Sequence, residues 1–283
     1  MIPAQFDYVR AGSVDEAVAA LAQHGDEAKV LAGGQSLIPL LRLRLAYPEV
    51  VVDVGRVAEM RGVREDGDHL VIGAMTTHFD VIRNELVRAH CGLVAEATET
   101  VADPAVRHRG TFGGALTHAD PAGDLPAVVL ALDAEFVVAG SGGRRTVAAA
   151  DFFVDYLQTS LSPDEVLVEV RLPKLGDGWG YHYEKFHRVA QAWAIVGVAA
   201  AVHRSNGSIT QARIGLTNMG STPLRATATE QALAGADLSA IADAAGHAAD
   251  GTTPSSDLNA AADYRQHLAR VLTRRAVTAA AGA

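Results

Sequence analysis

The sequence predicts two domains, an α/β domain followed by a smaller α+β domain, with a boundary near residue 175. Three observations support this prediction. The 283 residues are enough for about two domains at roughly 150 residues each. Apolar segments alternate with a helical pattern over residues 13–53, as in a unit of strand, helix and strand. Gly176-Asp177-Gly178 then separates this region from a later pattern of hairpins and alanine-rich helices.

The first elements have clear local signals. Ser13-Val14-Asp15-Glu16 is a capping box that predicts the start of a helix, and Gly25 predicts its end. Lys29-Val30-Leu31 predicts a short buried strand. Residues 37–45 form another apolar segment, and Val50-Val51-Val52-Asp53 predicts the next strand.

The rest of the first domain is predicted from turn and helix signals. Its predicted elements are a hairpin over residues 61–75 with Asp66-Gly67 at its turn, a mostly helical segment over 77–100, a long loop over 101–124, a short helix opened by Pro126, and a hairpin over 135–147 around Ser141-Gly142-Gly143.

The second domain has a strong hairpin signal. Residues 195–203 and 209–217 flank Asn206-Gly207, which favours a tight turn between two strands. Residues 227–281 are rich in alanine, which has the highest helix propensity, so this region is predicted to be helical.

Composition excludes several classes of protein. The net charge of −9 argues against a nucleic-acid-binding protein, which needs a basic surface. Because Cys91 is the only cysteine, the chain cannot hold an intrachain disulfide, a CxxC zinc site or a four-cysteine iron–sulfur cluster. The longest apolar run, residues 192–202, is too short to span a bilayer, and the N-terminus lacks the pattern of a signal peptide. We therefore expect a cytoplasmic protein without a transmembrane segment.

Two loops of small residues are the main candidates for a ligand site. The first loop is Ala32-Gly33-Gly34-Gln35-Ser36, and the second loop is Thr111-Phe112-Gly113-Gly114-Ala115. Paired glycines let a ligand approach the backbone without meeting a Cβ, and consecutive free amides bind phosphate. Two such loops could hold the two phosphates of a dinucleotide. The alternative, that each Gly-Gly pair is a structural turn, stays open.

Other functional motifs are missing. No GxGxxG follows the first strand, no Gly-Lys dipeptide is present, and there is no HExxH. Asp120 and Asp124 could do acid–base work, or they could form a turn and a helix cap. His108 and His118 flank the second loop and are interpreted as ordinary loop histidines. The lack of catalytic machinery is typical of a protein whose cofactor carries the chemistry.

Several motifs together resemble one family. They are Met1-Ile2-Pro3 with Phe6-Asp7-Tyr8, residues 31–39, residues 72–77, Ala102-Asp103-Pro104 with Arg107 and residues 110–114, Tyr183-Glu184-Lys185, and residues 214–218. With these motifs the chain resembles the FAD-binding medium subunit of molybdenum-containing hydroxylases. Within that family it is most similar to the aerobic carbon monoxide dehydrogenase group.

This resemblance implies an α+β fold. It implies a two-subdomain FAD-binding domain of the vanillyl-alcohol-oxidase-like (PCMH) type over residues 1–175, with subdomains of about 1–56 and 57–175. A C-terminal domain, a small antiparallel sheet with helices, is implied over residues 178–283.

The resemblance also implies a set of FAD-binding residues, with no catalytic residue and no metal ligand in this chain. Two segments would wrap the pyrophosphate: Val30, Leu31, Ala32, Gly33, Gly34, Gln35, Ser36 and Leu37, and Thr111, Phe112, Gly113, Gly114 and Ala115. Asp124 would contact the sugar-alcohol chain of the flavin, and Lys185 would lie near the isoalloxazine. Val101 and Leu167 would lie beside the cofactor. Trp193 would lie near the ring, where the carbon monoxide dehydrogenases have a tyrosine.

The implied function is that of an electron-transfer flavoprotein subunit, incomplete as a catalyst alone. It would pass electrons from iron–sulfur clusters through FAD to an external acceptor such as a quinone. The molybdenum–pterin cofactor would lie on a large partner subunit and the clusters on a small one, in a dimer of heterotrimers. The complex would be cytoplasmic, with association at the inner face of the membrane as an option. The alternatives are a subunit of a related aldehyde, N-heterocycle or aromatic hydroxylase, and a stand-alone flavoenzyme.

Overall fold

The computed structural model describes residues 2–282; Met1 and Ala283, which end the two predicted domain ranges, lie outside the described residues. The strands within residues 2–282 form four sheets. They are β1 (Asp7–Arg10), β2 (Ala28–Leu31), β3 (Val50–Asp53), β4 (Val63–Asp66), β5 (His69–Gly73), β6 (Glu135–Gly140), β7 (Gly143–Ala148), β8 (Phe153–Asp155), β9 (Gln158–Thr159), β10 (Val166–Pro173), β11 (Trp179–Phe186), β12 (Val196–Ser205), β13 (Ser208–Thr217) and β14 (Leu224–Arg225).

The α-helices of the same residues are mostly short. They are α1 (Val14–His24), α2 (Leu37–Leu43), α3 (His78–Arg83), α4 (Glu85–His90), α5 (Gly92–Glu99), α6 (Pro104–Arg107), α7 (Phe112–His118), α8 (Asp124–Ala131), α9 (Ala149–Phe152), α10 (Thr227–Leu233), α11 (Ile241–Ala245) and α12 (Ala262–Ala280). No helix within residues 2–282 combines the length and the apolar content needed to cross a bilayer.

The N-terminal sheet is parallel, with strand order β1-β3-β2. Helix α1 begins as predicted, because Ser13 Oγ accepts a hydrogen bond of 3.1 Å from the Glu16 amide. The Glu16 carboxylate accepts from the amide of Gly12, one residue earlier than a capping box predicts. Gly25 ends the helix with a φ of 53°. Strand β1 was not predicted, because its residues are mostly exposed and carry no apolar alternation.

The second sheet is antiparallel, with strand order β4-β5-β10-β6-β7. Both predicted hairpins, β4-β5 and β6-β7, are confirmed, and they form the two edges of this sheet. Strand β10 joins them in the centre and was not predicted. Because this sheet is antiparallel, the predicted α/β pattern holds only for the first sheet, and the fold as a whole is α+β.

The long loop predicted over residues 101–124 is wrong, because this segment contains α6 and α7. Each of these helices begins at a side-chain cap. The Asp103 carboxylate accepts from the Val106 amide at 2.9 Å, and Thr111 Oγ1 accepts from the Gly114 amide at 3.2 Å. The pair Gly113-Gly114, predicted to lie in a loop, therefore lies inside the first turn of α7.

The C-terminal sheet has strand order β11-β12-β13-β14, and α12 packs against β11 and β12. The predicted hairpin is confirmed: Asn206 and Gly207 form its turn with φ values of 52° and 86°. The alanine-rich region is only partly helical. Residues 246–261 form turns and extended chain between α11 and α12.

Two buried clusters form the core of the described residues. One fills the space around the first two sheets, and the other lies between the C-terminal sheet and its helices. Helix α8 belongs to the first cluster but packs directly on β12 and β13 of the C-terminal sheet. The contact is closest at Gly215, where an added Cβ would lie 2.1 Å from the carbonyl oxygen of Ala127.

This contact predicts a specific sensitivity to substitution. Gly215→Ala should lower the free energy of unfolding by roughly 1–3 kcal/mol, the usual cost of overpacking, because a backbone carbonyl cannot rotate away. Gly142→Ala is the matched control, since a Cβ there meets nothing within 4 Å. Urea unfolding monitored by circular dichroism measures both. Equal stability of the two variants would contradict the close packing of α8 on β13.

Candidate functional site

A cleft of about 440 Å³ lies where the first loop, the start of α7, the start of α8 and the segment between β11 and β12 converge. This volume is within the usual range of small-molecule sites. Most of the predicted site residues line it. They are Val30, Ala32, Gly33, Gly34, Gln35, Ser36, Leu37, Val101, Thr111, Gly114, Ala115, Asp124, Lys185 and Trp193.

Four of the predicted residues do not line this cleft. Leu31 ends β2, and its carbonyl accepts from the Val54 amide at 3.1 Å. Phe112 is fully buried in the core. Gly113 and Leu167 line a second, smaller cavity of about 70 Å³, which shares Val30, Ala32, Gly114 and Thr117 with the cleft. Predictions made for contiguous segments include such residues because alternate positions point away from a common ligand.

The first loop has the property expected of a phosphate site. Within the described residues, the backbone N–H groups of residues 33–37 have no hydrogen-bond acceptor. Five successive free amides beside a cleft form a concave site that favours an anion. Because the chain supplies no acceptor for these donors, they are available to a ligand that accepts hydrogen bonds.

The second loop differs from the prediction. The amides of Phe112 and Gly113 donate to the carbonyls of Thr76 and Ala74, at 2.9 and 2.8 Å. The Gly114 amide donates to Thr111 Oγ1. These amides already have acceptors in the chain, so the second loop contributes to the cleft through the Thr111 side chain and the small surface of Gly114 rather than through a row of free amides.

The glycines have a different role from the one predicted. A Cβ on Gly33 would lie 2.2 Å from the carbonyl oxygen of Arg109, and a Cβ on Gly113 would lie 2.4 Å from the Cβ of Ala74. These two glycines allow segments of the protein to touch each other. The expectation that the missing Cβ makes room for phosphate is therefore wrong at both positions.

A buried ion pair also lines the cleft. Lys185 on β11 donates to Asp124 in the first turn of α8, with Nζ 2.8 Å from Oδ2. The two side chains are only 3% and 4% exposed. Lys185 Nζ also donates to the carbonyl of Thr100 at 3.0 Å, and the Tyr183 hydroxyl donates to Asp124 Oδ1 at 2.7 Å.

Burial raises the pKa of the Asp124 carboxyl, and the neighbouring Lys185 ammonium and Tyr183 hydroxyl oppose this rise. Burial, followed by the charge of Asp124, raises the pKa of Tyr183 well above 10, so its hydroxyl keeps its proton. Of the two alternatives for Asp120 and Asp124, acid–base work or a turn and a helix cap, the structure shows Asp124 in the first turn of α8 with its carboxylate in the ion pair. Asp120 forms a turn by accepting from the Ala122 amide at 2.9 Å.

Trp193 stands at the mouth of the cleft and is 54% exposed. Its segment, between β11 and β12, is held across the cleft by the side chain of Gln191, which donates to the Asp103 carboxylate at 2.5 Å. The carbonyl of Ala194, next to Trp193, accepts from the Asn218 amide group at 2.8 Å. A flat aromatic ring entering the cleft could stack on Trp193.

Among the residues at or beside the cleft that sequence reasoning did not assign to the site are His78, His118, Gln191 and Tyr183. His118 ends α7 and lines the cleft, with its ring centroid 6.3 Å from that of Trp193. His108 does stay outside and stacks on Phe79. Only the position of His118 beside the second loop could have signalled its role.

The remaining candidates for chemistry are inert. Cys91 is buried, and burial raises the pKa of its thiol to about 12. Within residues 2–282 there is no group of three or more histidine, cysteine, aspartate or glutamate side chains placed to bind a metal ion.

A row of free amides and a buried ion pair in one cleft, together with an exposed aromatic ring, are typical of a protein that binds a large phosphate-bearing cofactor. Residues 4–175 match the family model of the FAD binding domain in molybdopterin dehydrogenase, and residues 181–280 match that of the CO dehydrogenase flavoprotein C-terminal domain. The chain therefore belongs to the family of FAD-binding medium subunits of molybdenum hydroxylases.

Individual relatives cover almost the whole chain. The carbon monoxide dehydrogenase medium chain of Hydrogenophaga pseudoflava is 43% identical over 282 residues, which are 99% of this chain and 98% of the relative. The 6-hydroxypseudooxynicotine dehydrogenase complex subunit alpha of Paenarthrobacter nicotinovorans is 37% identical, over 99% of this chain and 96% of the relative. A solved structure of the Hydrogenophaga pseudoflava carbon monoxide dehydrogenase superposes with a TM-score of 0.97 at 45% identity, covering 99% of this chain and 98% of that one.

These findings confirm the predicted family, fold class and cofactor. The chain is the FAD-binding, electron-transferring subunit of an oxidoreductase, and the molybdenum cofactor and iron–sulfur clusters of such an enzyme lie on other subunits.

His78, in the wall of the cleft, predicts a pH dependence of stability. It is 3% exposed, its Nδ1 has no hydrogen-bond partner among the described residues, and burial, followed by the charge of Arg107, lowers its pKa to about 4. The folded protein thus holds His78 neutral, whereas the unfolded chain titrates near 6.5. Because a neutral His78 favours the folded state, its contribution to the free energy of unfolding is fully present above pH 6.5. This contribution falls by about 3 kcal/mol as the pH drops to 4.

The measurement compares the wild type with His78→Gln, which cannot titrate. Between pH 7 and pH 4 the wild type should lose about 3 kcal/mol more free energy of unfolding than the variant does. Titrating carboxylates are common to both proteins and cancel. A difference that stays constant with pH would show that His78 is not held neutral.

Proposed function

We propose that FAD occupies the cleft, with its pyrophosphate against the first loop and the start of α7 and its flavin end beside Asp124, Lys185 and Trp193. The observation that carries this proposal is the row of free amides at residues 33–37, which lines the same cleft as the buried ion pair. The diphosphate of FAD would accept hydrogen bonds that the chain leaves unmade. Val101 and, from the smaller adjoining cavity, Leu167 would supply apolar contacts.

The domain boundaries are part of this proposal. We place an FAD-binding domain at residues 1–175, with subdomains of about 1–56 and 57–175, and a C-terminal domain at residues 178–283. The ranges of the two family models support this division, and the second buried cluster lies wholly beyond residue 178. The C-terminal domain would complete the cofactor site, because Lys185 and Trp193 lie beyond residue 178.

The residues of the cleft bind and orient the cofactor. The Lys185 ammonium donates two of its three hydrogens to Asp124 and to the carbonyl of Thr100, so one N–H remains for a ligand in the cleft. Asp124 is fixed by two donors and would accept a hydroxyl of the flavin side chain. Trp193 would cover the ring and limit access of water. The chemistry that bound FAD supplies is the conversion of single electrons into pairs.

The partners of this subunit are proposed from its relatives. We propose a large molybdopterin subunit and a small iron–sulfur subunit, assembled as a dimer of heterotrimers, with a quinone as the electron acceptor. The complex would be cytoplasmic and could associate with the inner face of the membrane. Carbon monoxide is the proposed substrate of the whole enzyme, supported by the 43% identity to a carbon monoxide dehydrogenase medium chain.

A second candidate is the medium subunit of a hydroxylase for a heterocycle, an aldehyde or an aromatic compound. The 37% identical relative, whose name gives 6-hydroxypseudooxynicotine as its substrate, favours it. The substrate site would lie on another subunit, so the cleft described above serves both candidates equally.

Cofactor content tests the central part of the proposal. The full chain mixed with FAD should show a flavin spectrum, and the bound compound released on denaturation should be FAD. Affinity for FMN should be much lower, because FMN lacks the second phosphate that the free amides and Thr111 would bind. Preference for FMN or NAD, or no flavin binding, would contradict the assignment.

The same preparation distinguishes a subunit from a stand-alone flavoenzyme. The FAD-loaded chain, supplied with carbon monoxide or a heterocyclic substrate and a dye as acceptor, should show no turnover until the two partner subunits are added. Turnover by the chain alone at the rate of the assembled enzyme would overturn the subunit assignment.

A further inference from the structure

Tyr183 belongs to the ion-pair network but does not line the cleft. Contact with a cofactor therefore does not explain why a tyrosine stands at this position. Tyr183 lies on β11 between Glu184 and His182 and is 4% exposed. Its amide donates to the Glu96 carboxylate at 3.1 Å, and its hydroxyl reaches Asp124 Oδ1 at 2.7 Å. The residue is thus held at both its backbone and the end of its side chain.

The packing around the hydroxyl indicates that the oxygen itself matters. A Cβ on Gly197 of β12 would lie 2.6 Å from the Tyr183 hydroxyl, so a glycine on the neighbouring strand is needed to make room for it. A phenylalanine could occupy the same place but could not donate this hydrogen bond. Burying a hydroxyl is costly unless it is hydrogen-bonded, and here its bond goes to Asp124.

Tyr183 and Lys185 act on Asp124 as a pair. They are two residues apart on one strand and therefore lie on the same face of the sheet. One donates to Oδ1 and the other to Oδ2 of the same carboxylate. Two donors on different oxygens fix both the position and the rotation of the group, whereas Lys185 alone would leave the rotation free.

We propose that Tyr183 is a positioning residue for the cofactor: its hydroxyl, together with Lys185, holds the Asp124 carboxylate in the orientation that it offers to the flavin side chain. This inference rests on the proposed function, because it assigns Asp124 to FAD. It adds a residue that does not touch the cofactor and acts only through the carboxylate.

The electrostatics make the role measurable. The titratable and charged groups near Asp124 come from two places. Tyr183 and Lys185 lie on β11 and His187 follows it, whereas His118 and Asp120 line the cleft. Burial raises the pKa of Asp124, and the Tyr183 hydroxyl is one of the groups that oppose the rise. Loss of this hydroxyl should therefore let Asp124 bind a proton at higher pH than in the wild type, and a protonated Asp124 should hold FAD less well.

The experiment measures the dissociation constant of FAD for the full chain at pH 8 and pH 6. Tyr183→Phe should bind FAD roughly tenfold more weakly at pH 8, as expected for the loss of a hydrogen bond to a charged group, and its deficit should grow at pH 6. Tyr181→Phe is the matched control on the same face of the same strand. Within residues 2–282 its hydroxyl has no hydrogen-bond partner, so its affinity should match that of the wild type.

A second variant approaches the same contact from the other side. Gly197→Ala keeps the tyrosine but displaces its hydroxyl. It should therefore reproduce the weaker binding of FAD, including the larger deficit at pH 6. In the Asp124→Asn background, Tyr183→Phe should add no pH-dependent loss, because no carboxylate remains to titrate. Circular dichroism and thermal unfolding without FAD verify that each variant is folded.

The outcomes distinguish the role of Tyr183 from the binding of FAD by the chain. An unchanged affinity in folded Tyr183→Phe, or a loss that is equal at both pH values, would reduce Tyr183 to a structural residue and overturn the inference. Failure of the wild type itself to bind FAD would instead overturn the proposed function.

Discussion

The buried ion pair between Asp124 and Lys185 is the interaction on which the site depends. Asp124 begins a helix of the first core cluster, and Lys185 lies on the first strand of the C-terminal sheet. Either charge alone would be costly at 3–4% exposure, so each requires the other, and the contact fixes how α8 meets β11. Both residues line the cleft, together with the first loop, so the contact helps to shape the site.

Close backbone contacts give the walls their rigidity. Gly33 touches the backbone at Arg109, Gly113 touches Ala74, and Gly215 touches Ala127, all at distances that no Cβ would allow. The glycines thus hold the first loop against the segment before α7, and α8 against the C-terminal sheet. Free amides remain in the first loop because the loop is held in place from behind, which leaves its N–H groups without partners in the chain.

Local signals explain which parts of the fold could be predicted. The capping box at Ser13 and the Asn206-Gly207 turn are encoded in a few neighbouring residues, and both are confirmed. Strand β10 is defined by partners about 30 and 100 residues away, so no local pattern reveals its central place. Helices α6 and α7 were missed because proline and paired glycines favour loops unless a cap stabilises the first turn.

The site residues likewise fall into those with a signal in the sequence and those defined by distant partners. The first loop could be predicted because glycines after a strand have a local meaning, and Asp124, Lys185 and Trp193 came from family resemblance. Tyr183 and His78 could not be predicted, since their roles arise from burial and from partners distant in sequence. Phe112 was predicted as a member of the second loop; its neighbours Thr111 and Gly114 line the cleft, whereas its own side chain packs into the core.

A double-mutant cycle on FAD binding tests the central claim most directly. The dissociation constant of FAD is measured for the wild type, Asp124→Asn, Lys185→Met and the double variant. If the two side chains act as one unit, each single change should weaken binding, and the double change should cost less than the sum, with a coupling energy on the order of 1–3 kcal/mol. Additive losses, or FAD affinity unchanged in both single variants, would contradict the account.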